Sequence, residues 1–229
     1  MLAVRSHGEE QMDSAELDPD TYARVLYDLS RVNRWTFTAH PLLSFLQRAT
    51  EGMTRFRLLD VGFGAGDLLR RVAVWARRQG IAAALTGVDI NPRSAAIARA
   101  ATPSDMQIDY VTGDYRDLPE AFDFIVSSQV AHHMTDAQLG QFLHFMEERA
   151  SRGWLISDLH RHGFAYHGFP WLARLMGAHR IVREDGQLSI ARSFRPDEWR
   201  QILRDAKMPP DVSIVRRFPF RLSVERIRR

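Results

Sequence analysis

The chain has no cysteine, and Lys207 is its only lysine. The first absence excludes disulfides, thiolate metal sites and a thiol nucleophile. The second excludes a catalytic Tyr-x-x-x-Lys pair away from that single position. Positive charge therefore rests almost wholly on arginine, and the formal net charge is only +3. The arginines are scattered, with one dense group in the tail from Arg216 to Arg229, a distribution that argues against nucleic-acid binding. No apolar run approaches the roughly eighteen residues of a membrane span, so none is expected. The N-terminus lacks an apolar signal core and turns acidic from Glu9, so a disordered lead over residues 1–18 and a cytoplasmic location are the expectations. Neither repeats nor low-complexity linkers appear, and 229 residues suit one domain.

What is present begins at Leu58-Leu59-Asp60-Val61-Gly62-Phe63-Gly64-Ala65-Gly66-Asp67-Leu68-Leu69. An apolar run enters an acid, then three alternating glycines, then a helical pattern. Glycine leaves backbone bare and tolerates positive φ, and the helix start offers free N–H groups to a ligand. The spacing is G-x-G-x-G. A dinucleotide fingerprint wants a small residue where Asp67 stands, which turns the reading from NAD toward S-adenosylmethionine.

Around this turn, short apolar runs alternate with helices. Strands are expected at 56–61, 83–88, 107–111, 122–127 and 154–157, and helices at 67–79, 92–101 and 135–150. That alternation predicts an α/β chain with a mostly parallel sheet and helices on both faces. Residues 19–50 read as a helical cap, with Tyr22, Val25, Leu26, Leu29 and Val32 at helical spacing. Residues 51–229 form the main domain, in which 159–192 break the rhythm as a substrate-cover insertion with one helical piece near 169–176. A helix at 196–206 and strands at 212–217 and 220–227 close the chain as an antiparallel hairpin.

Candidate ligand residues fall at successive strand ends, where open α/β sheets bind. Asp60 is placed to organise the glycine turn of Gly62, Gly64 and Gly66. Asp89, with Ile90 beside it, closes the second strand and suits a ribose diol. Asp114 and Tyr115 follow the third strand and suit an adenine amino group and ring. Gln129 follows the fourth strand, in Ser127-Ser128-Gln129. Each feature alone has a plainer reading as a turn or helix cap; their order and spacing together favour a ligand site.

The stretches LLDVGFGAG, LTGVDINP, VTGDYRDLP and FDFIVSSQVAHHM resemble the class I S-adenosylmethionine-dependent methyltransferases, in particular the small-molecule type of ubiquinone and menaquinone biosynthesis. The resemblance covers residues 56–158 and is loose elsewhere. It implies a Rossmann-like doubly wound sheet, S-adenosylmethionine held by the residues just named, and a small-molecule acceptor. Phe63, bulkier than usual in the loop, is expected to wall part of the methionine pocket. Histidine suits removal of an acceptor proton, so His133 or His160, oriented by Asp158, is the expected base, with Tyr166 a further candidate. No metal is expected: the metal-dependent catechol-type enzymes use a carboxylate at the end of the fourth strand, and Asp158, His160 and His162 offer only one short loop of ligands.

Trp35, Phe37, Phe45, Phe164, Tyr166, Phe169, Trp171, Leu172, Leu175 and Met176 suggest an apolar acceptor pocket or, equally, ordinary core. The expected reaction is O-methylation of an aromatic, polyketide-like or quinone-like acceptor. C-methylation of a quinone or lipid-like substrate stands beside it, as do two other classes, an NAD-linked oxidoreductase and a non-catalytic adenosyl-binding module.

Overall fold

Leu58 and Leu59 show how the chain builds two cores at once. Successive strand residues point to opposite faces, and these two enter different apolar clusters, one on each side of a sheet. The computed structural model describes residues 2–118 and 121–228. Among them the strands are β1 (Arg55–Val61), β2 (Ala82–Asp89), β3 (Ile108–Thr112), β4 (Phe122–Ser128), β5 (Ala150–Leu159), β6 (Ser213–Arg217) and β7 (Arg221–Ile227). They lie in the order β3-β2-β1-β4-β5-β7-β6. The first five pair in parallel, while β7 runs antiparallel to both β5 and β6. This is the expected Rossmann-like arrangement with its C-terminal hairpin.

The helices are α1 (Pro19–Trp35), α2 (His40–Ala49), α3 (Asp67–Gln79), α4 (Pro92–Ala100), α5 (Asp136–Arg149), α6 (Gly163–Leu175), α7 (Arg180–Arg192) and α8 (Pro196–Asp205). One face of the sheet packs Phe142, Trp154 and Trp199 with α5 and α8; the other packs Phe45, Phe124 and Leu69 with α2 and α3. Helix α1 starts at Asp18, whose side chain accepts the Thr21 N–H, with proline at its first position. It sets Tyr22 and Leu26 against Ala65 of the glycine turn, so the cap roofs that turn.

Two expectations need correction. Residues 2–18 are not a disordered lead. Arg5 donates to the carbonyls of His132 and Met134, and its guanidinium lies 3.9 Å from the Phe194 ring centroid. The backbone N–H groups of Gln11 and Met12 donate to the Asp185 carboxylate. These anchors are polar and cation–π contacts, invisible to a search for apolar periodicity.

The insertion at 159–192 holds two helices rather than one piece. Helix α6 starts at Gly163, and His162 caps it by accepting the Phe164 N–H. Pro170 within α6 cannot bond the Tyr166 carbonyl; Gln187 Nε2 of α7 donates to that carbonyl instead, at 3.0 Å. Gly186 of α7 lies under the Phe169 ring, where a Cβ would come within 2.1 Å of ring carbon Cε1.

Candidate active site

A single cavity of about 1190 Å³ runs across the carboxyl ends of β1, β2, β3 and β4 and under α1, α6 and α7. Asp60, Gly62, Gly64, Asp89, Ile90, Asp114, Tyr115, Gln129 and His133 all border it. Of the expected cofactor residues only Gly66 lies outside its lining. Gly66 has φ +71° at the start of α3, and a Cβ there would sit 2.5 Å from the Tyr110 hydroxyl; it shapes the turn from behind. Gly62 is likewise packed, with Val130 Cγ2 2.4 Å from where its Cβ would be. Gly64, at φ +53°, has open space where a side chain would project. The three glycines thus divide their labour: two allow packing and one leaves bare peptide at the cavity. Phe63 borders the cavity but is mostly packed inward. Its ring is 4% exposed and lies against Tyr110, centroids 4.9 Å apart.

Three carboxylates surround this turn. Asp89 Oδ2 accepts the Gly64 N–H at 2.8 Å and Oδ1 accepts the Asn91 N–H at 2.9 Å, so the second-strand acid buttresses the loop. Burial nevertheless raises its pKa, as it raises that of Asp67. Asp60 is more extreme. It is fully buried, and burial together with Asp67 and Asp89 pushes it up to about 8. Its Oδ1 has no hydrogen-bond partner, so this oxygen does not organise the loop through backbone N–H groups. Asp114 behaves oppositely: it is held below the usual range, chiefly by hydrogen bonds from Arg116. Tyr115 stands edge-on to Phe142 and Phe145.

These features fit S-adenosylmethionine. A sulfonium and an ammonium are cations, and a buried carboxyl with an unpartnered oxygen, flanked by two more acids, favours cations. The open peptide at Gly64 admits close approach, and Asp89 retains lone pairs beyond its two backbone bonds. Bound here, it could take its methionine and ribose contacts from Asp60, Gly64 and Asp89 and its adenine contacts from Asp114 and Tyr115, all of which border the cavity.

The far side of the cavity is built differently. His132 and His133 sit on a 3-10 turn after β4. Asp158 at the end of β5 accepts from the His132 backbone N–H and lies 2.8 Å from His132 Nδ1. So Asp158 orients His132, not His160. From the N-terminal segment, Glu10 Oε1 comes within 3.4 Å of His132 Nε2 and 3.7 Å of His133 Nε2. Asp13 Oδ2 lies 3.2 Å from His133 Nδ1. Burial opposes charge on His132, but Asp158 and Glu10 outweigh it and raise its pKa to about 9. Burial likewise opposes charge on Glu10, yet the histidines hold its pKa below the usual range.

His160 and Tyr166 lie outside the cavity lining. The His160 N–H donates to the Phe220 carbonyl, and burial with nearby His162 and arginines lowers its pKa. Tyr166 stacks edge-on to His167 on α6. Among the expected pocket aromatics and aliphatics, Phe164, Phe169 and Leu172 border the cavity. Phe45 is core, while Trp35, Trp171 and Leu175 face outward.

Sequence reasoning missed Glu10 and Asp13, assigned to a disordered lead, and Arg221. Buried Arg221 borders the cavity and donates to Gln129 Oε1, Thr36 Oγ1 and Thr38 Oγ1. Burial lowers its pKa to about 10. Gln129, at φ +60°, is further tied to Asn33 of α1, so the turn after β4 is locked to the cap and to β7.

Residues 58–153 match the model of a methyltransferase-domain family. Over 167 residues the chain is 32% identical to a ubiquinone biosynthesis O-methyltransferase of Paramagnetospirillum magneticum. That overlap takes in 70% of this chain and 61% of the relative, so the chain spans less than two thirds of the relative's length. Human N-acetylserotonin methyltransferase, solved with S-adenosylmethionine, superposes with a TM-score of 0.63 at 16% identity, covering 95% of this chain and 62% of that one. Magnesium protoporphyrin IX methyltransferase from Synechocystis PCC 6803, solved with S-adenosylhomocysteine, gives 0.56 at 16% identity, covering 96% and 92%. The glycine turn, the acid closing β2, the order of the sheet and these likenesses point the same way: residues 58–153 are similar to a methyltransferase domain, set in a sheet of Rossmann-like order.

Proposed function

We propose that this chain methylates a hydroxyl oxygen of a small, largely apolar aromatic acceptor, a phenol or quinol. The observation that carries the reading is one continuous cavity with two unlike ends. One end holds the bare peptide of Gly64 and the acids Asp60, Asp67 and Asp89; the other holds Glu10, His132 and His133. Between and above them the walls are apolar: Val25 and Leu29 of α1, Phe169 and Leu172 of α6, and Val182 and Ile190 of α7. Such walls bind a flat apolar body, and the few polar groups fix its orientation. Helices α6 and α7 are the substrate cover in this reading.

The bound cofactor supplies an electrophilic methyl group. The chain's own work is to align a nucleophile with that methyl, to exclude water and to favour an ionised hydroxyl. Alignment falls to the apolar walls, and α1 shuts the glycine end from above. Ionisation falls to the Glu10–His132–His133 end, where the hydroxyl finds groups that accept or stabilise its charge. A neutral carbon acceptor would have less use for this polar end. The ubiquinone biosynthesis relative is named as an O-methyltransferase, which supports oxygen as the target.

The test is incubation with methyl-labelled S-adenosylmethionine and a panel of phenols and quinols, with products read by mass spectrometry. Methyl ethers are expected. Label found only on ring carbon, or only on amines offered alongside, would overturn the proposal.

A further inference from the structure

From the arrangement at the far end of the cavity, we infer that Glu10, His132 and His133 form a binding site for a divalent first-row metal ion of the zinc class. Two imidazole nitrogens and one carboxylate oxygen converge, with all three ligand atoms within 4.8 Å of one another. A tetrahedral ion bonded at ~2.0–2.1 Å sets its ligands about 3.3 Å apart. The observed separations from Glu10 Oε1 are 3.4 Å to His132 Nε2 and 3.7 Å to His133 Nε2. Two of the three separations therefore approach the edge of a tetrahedron, and the third lies within 4.8 Å.

The atoms behind the donors support the same reading. Metal-bound histidines characteristically hold a carboxylate on the other ring nitrogen, which fixes tautomer and ring orientation. His132 does so, with Asp158 2.8 Å from its Nδ1, and Asp13 stands 3.2 Å from His133 Nδ1 on the corresponding side. Both Nε2 atoms are then left turned toward the same glutamate oxygen. Glu10 has its own support, since Ser189 Oγ donates to Oε1 at 2.7 Å, leaving a lone pair on that oxygen. The contact of buried His132 Nε2 with Glu10 lacks hydrogen-bond geometry. A shared proton would want a straight, short N–H···O line; an ion between the atoms does not.

Charges of both signs stand close by. Glu10, Asp13 and Asp158 face the histidines, while Arg192 Nη1, 3.7 Å from Glu10 Oε1, is a neighbouring guanidinium. Arg5 lies near as well, donating to the His132 carbonyl, so it is the donor atoms, rather than net charge, that favour an ion. Two imidazoles and a carboxylate, with no thiolate, suit zinc, iron(II), cobalt(II) or manganese(II).

The three protein ligands all border the cavity, so the fourth position opens onto it, as in catalytic rather than closed structural sites. This inference rests on the proposed O-methylation for its use: a hydroxyl at the open position would be polarised by the ion and lose its proton to solvent. No metal is expected from the sequence, and the loop of Asp158, His160 and His162 is not where these donors converge. Asp158 serves from behind His132, and His160 lies elsewhere.

The experiment uses the full chain stripped with a chelator and titrated with cobalt(II), read by its visible absorption, then displaced with zinc(II). Cobalt should bind at one equivalent per chain with the strong bands of a low-coordinate site. Glu10→Gln and His133→Asn should each weaken binding more than tenfold, while S-adenosylmethionine affinity, measured by calorimetry, stays near that of the parent. His133 is partly exposed, so His133→Asn serves if substitution of buried His132 or Glu10 impairs folding. Absence of saturable one-equivalent binding, or binding unchanged in both variants, would overturn the inference. If stripped enzyme still forms methyl ethers at full rate without binding cobalt, the metal site falls and the O-methylation reading stands. If cobalt binds as described but label reaches only carbon, the site stands and O-methylation falls.

Discussion

Asp60 offers the sharpest test of the cofactor end. Its carboxyl is fully buried and pushed up to about 8 by burial, Asp67 and Asp89. At neutral pH the ligand-free protein therefore holds it mostly protonated. A cation arriving beside it favours the carboxylate, so binding at pH 7 must first release that proton. The penalty is about 1.4 kcal/mol for the one pK unit between 7 and 8, roughly a tenfold loss of affinity relative to the high-pH plateau. Affinity for S-adenosylmethionine should climb as pH rises from 6, by up to about one decade per unit, and flatten above 8. The ligand's own amino group titrates in the same window, so the comparison that matters is with Asp60→Asn, which removes the carboxyl and keeps the shape. Calorimetry in buffers of different ionisation enthalpy should show close to one more proton released by the parent than by the variant at pH 7. The unliganded protein carries the same signature in stability. The unfolded chain ionises Asp60 near pH 4 and the folded one near 8, so stability falls as pH rises between them, and Asp60→Asn should flatten that fall. Identical proton release and identical pH slopes in parent and variant would refute the assignment of Asp60 to the cation site.

Asp89→Ala should weaken S-adenosylmethionine binding by about 1–3 kcal/mol, because charge-assisted contacts disappear and the Gly64 N–H loses its partner; unchanged affinity by calorimetry would remove Asp89 from the site. Gly62→Ala and Gly64→Ala should separate packing from binding. The first combines positive φ with a collision against Val130 and should lower unfolding free energy by about 2–4 kcal/mol. The second meets open space and should lower stability by only about 1 kcal/mol while reducing cofactor affinity at least tenfold. Denaturant melts and calorimetry on both variants check the pair, and equal effects would contradict it.

The sheet and its helices were legible because their signals are local and periodic. The glycine turn, the helix beginning at Asp67 and the acid closing β2 fall in order along the chain and obey spacing rules. Helix α7 was hidden by Gly186, which a helix-period reading penalises and which the Phe169 ring demands. Helix α6 was shortened by Pro170, whose effect is absorbed by Gln187 from a different helix. Glu10 and Asp13 were illegible for a different reason. Their segment is polar and non-periodic, and it is held by distant partners such as Asp185 and Ser189, which no local pattern announces. The same holds for Asp158: sequence neighbourhood pointed it at His160, and the pairing of β4 with β5 delivers it to His132. Arg221 became visible only once β7 was seen to lie beside β5.

The reach of the N-terminal segment has a practical side. A protein trimmed to begin at Pro19 would lose the Asp18 cap of α1 but keep both apolar layers, the glycine turn and the acids around it. It would nonetheless arrive without Glu10 and Asp13, and the chamber behind His133 would stand open to water where the parent presents a charged wall. Trimming at what looks like a dispensable leader would thus discard half of the polar end of the cavity.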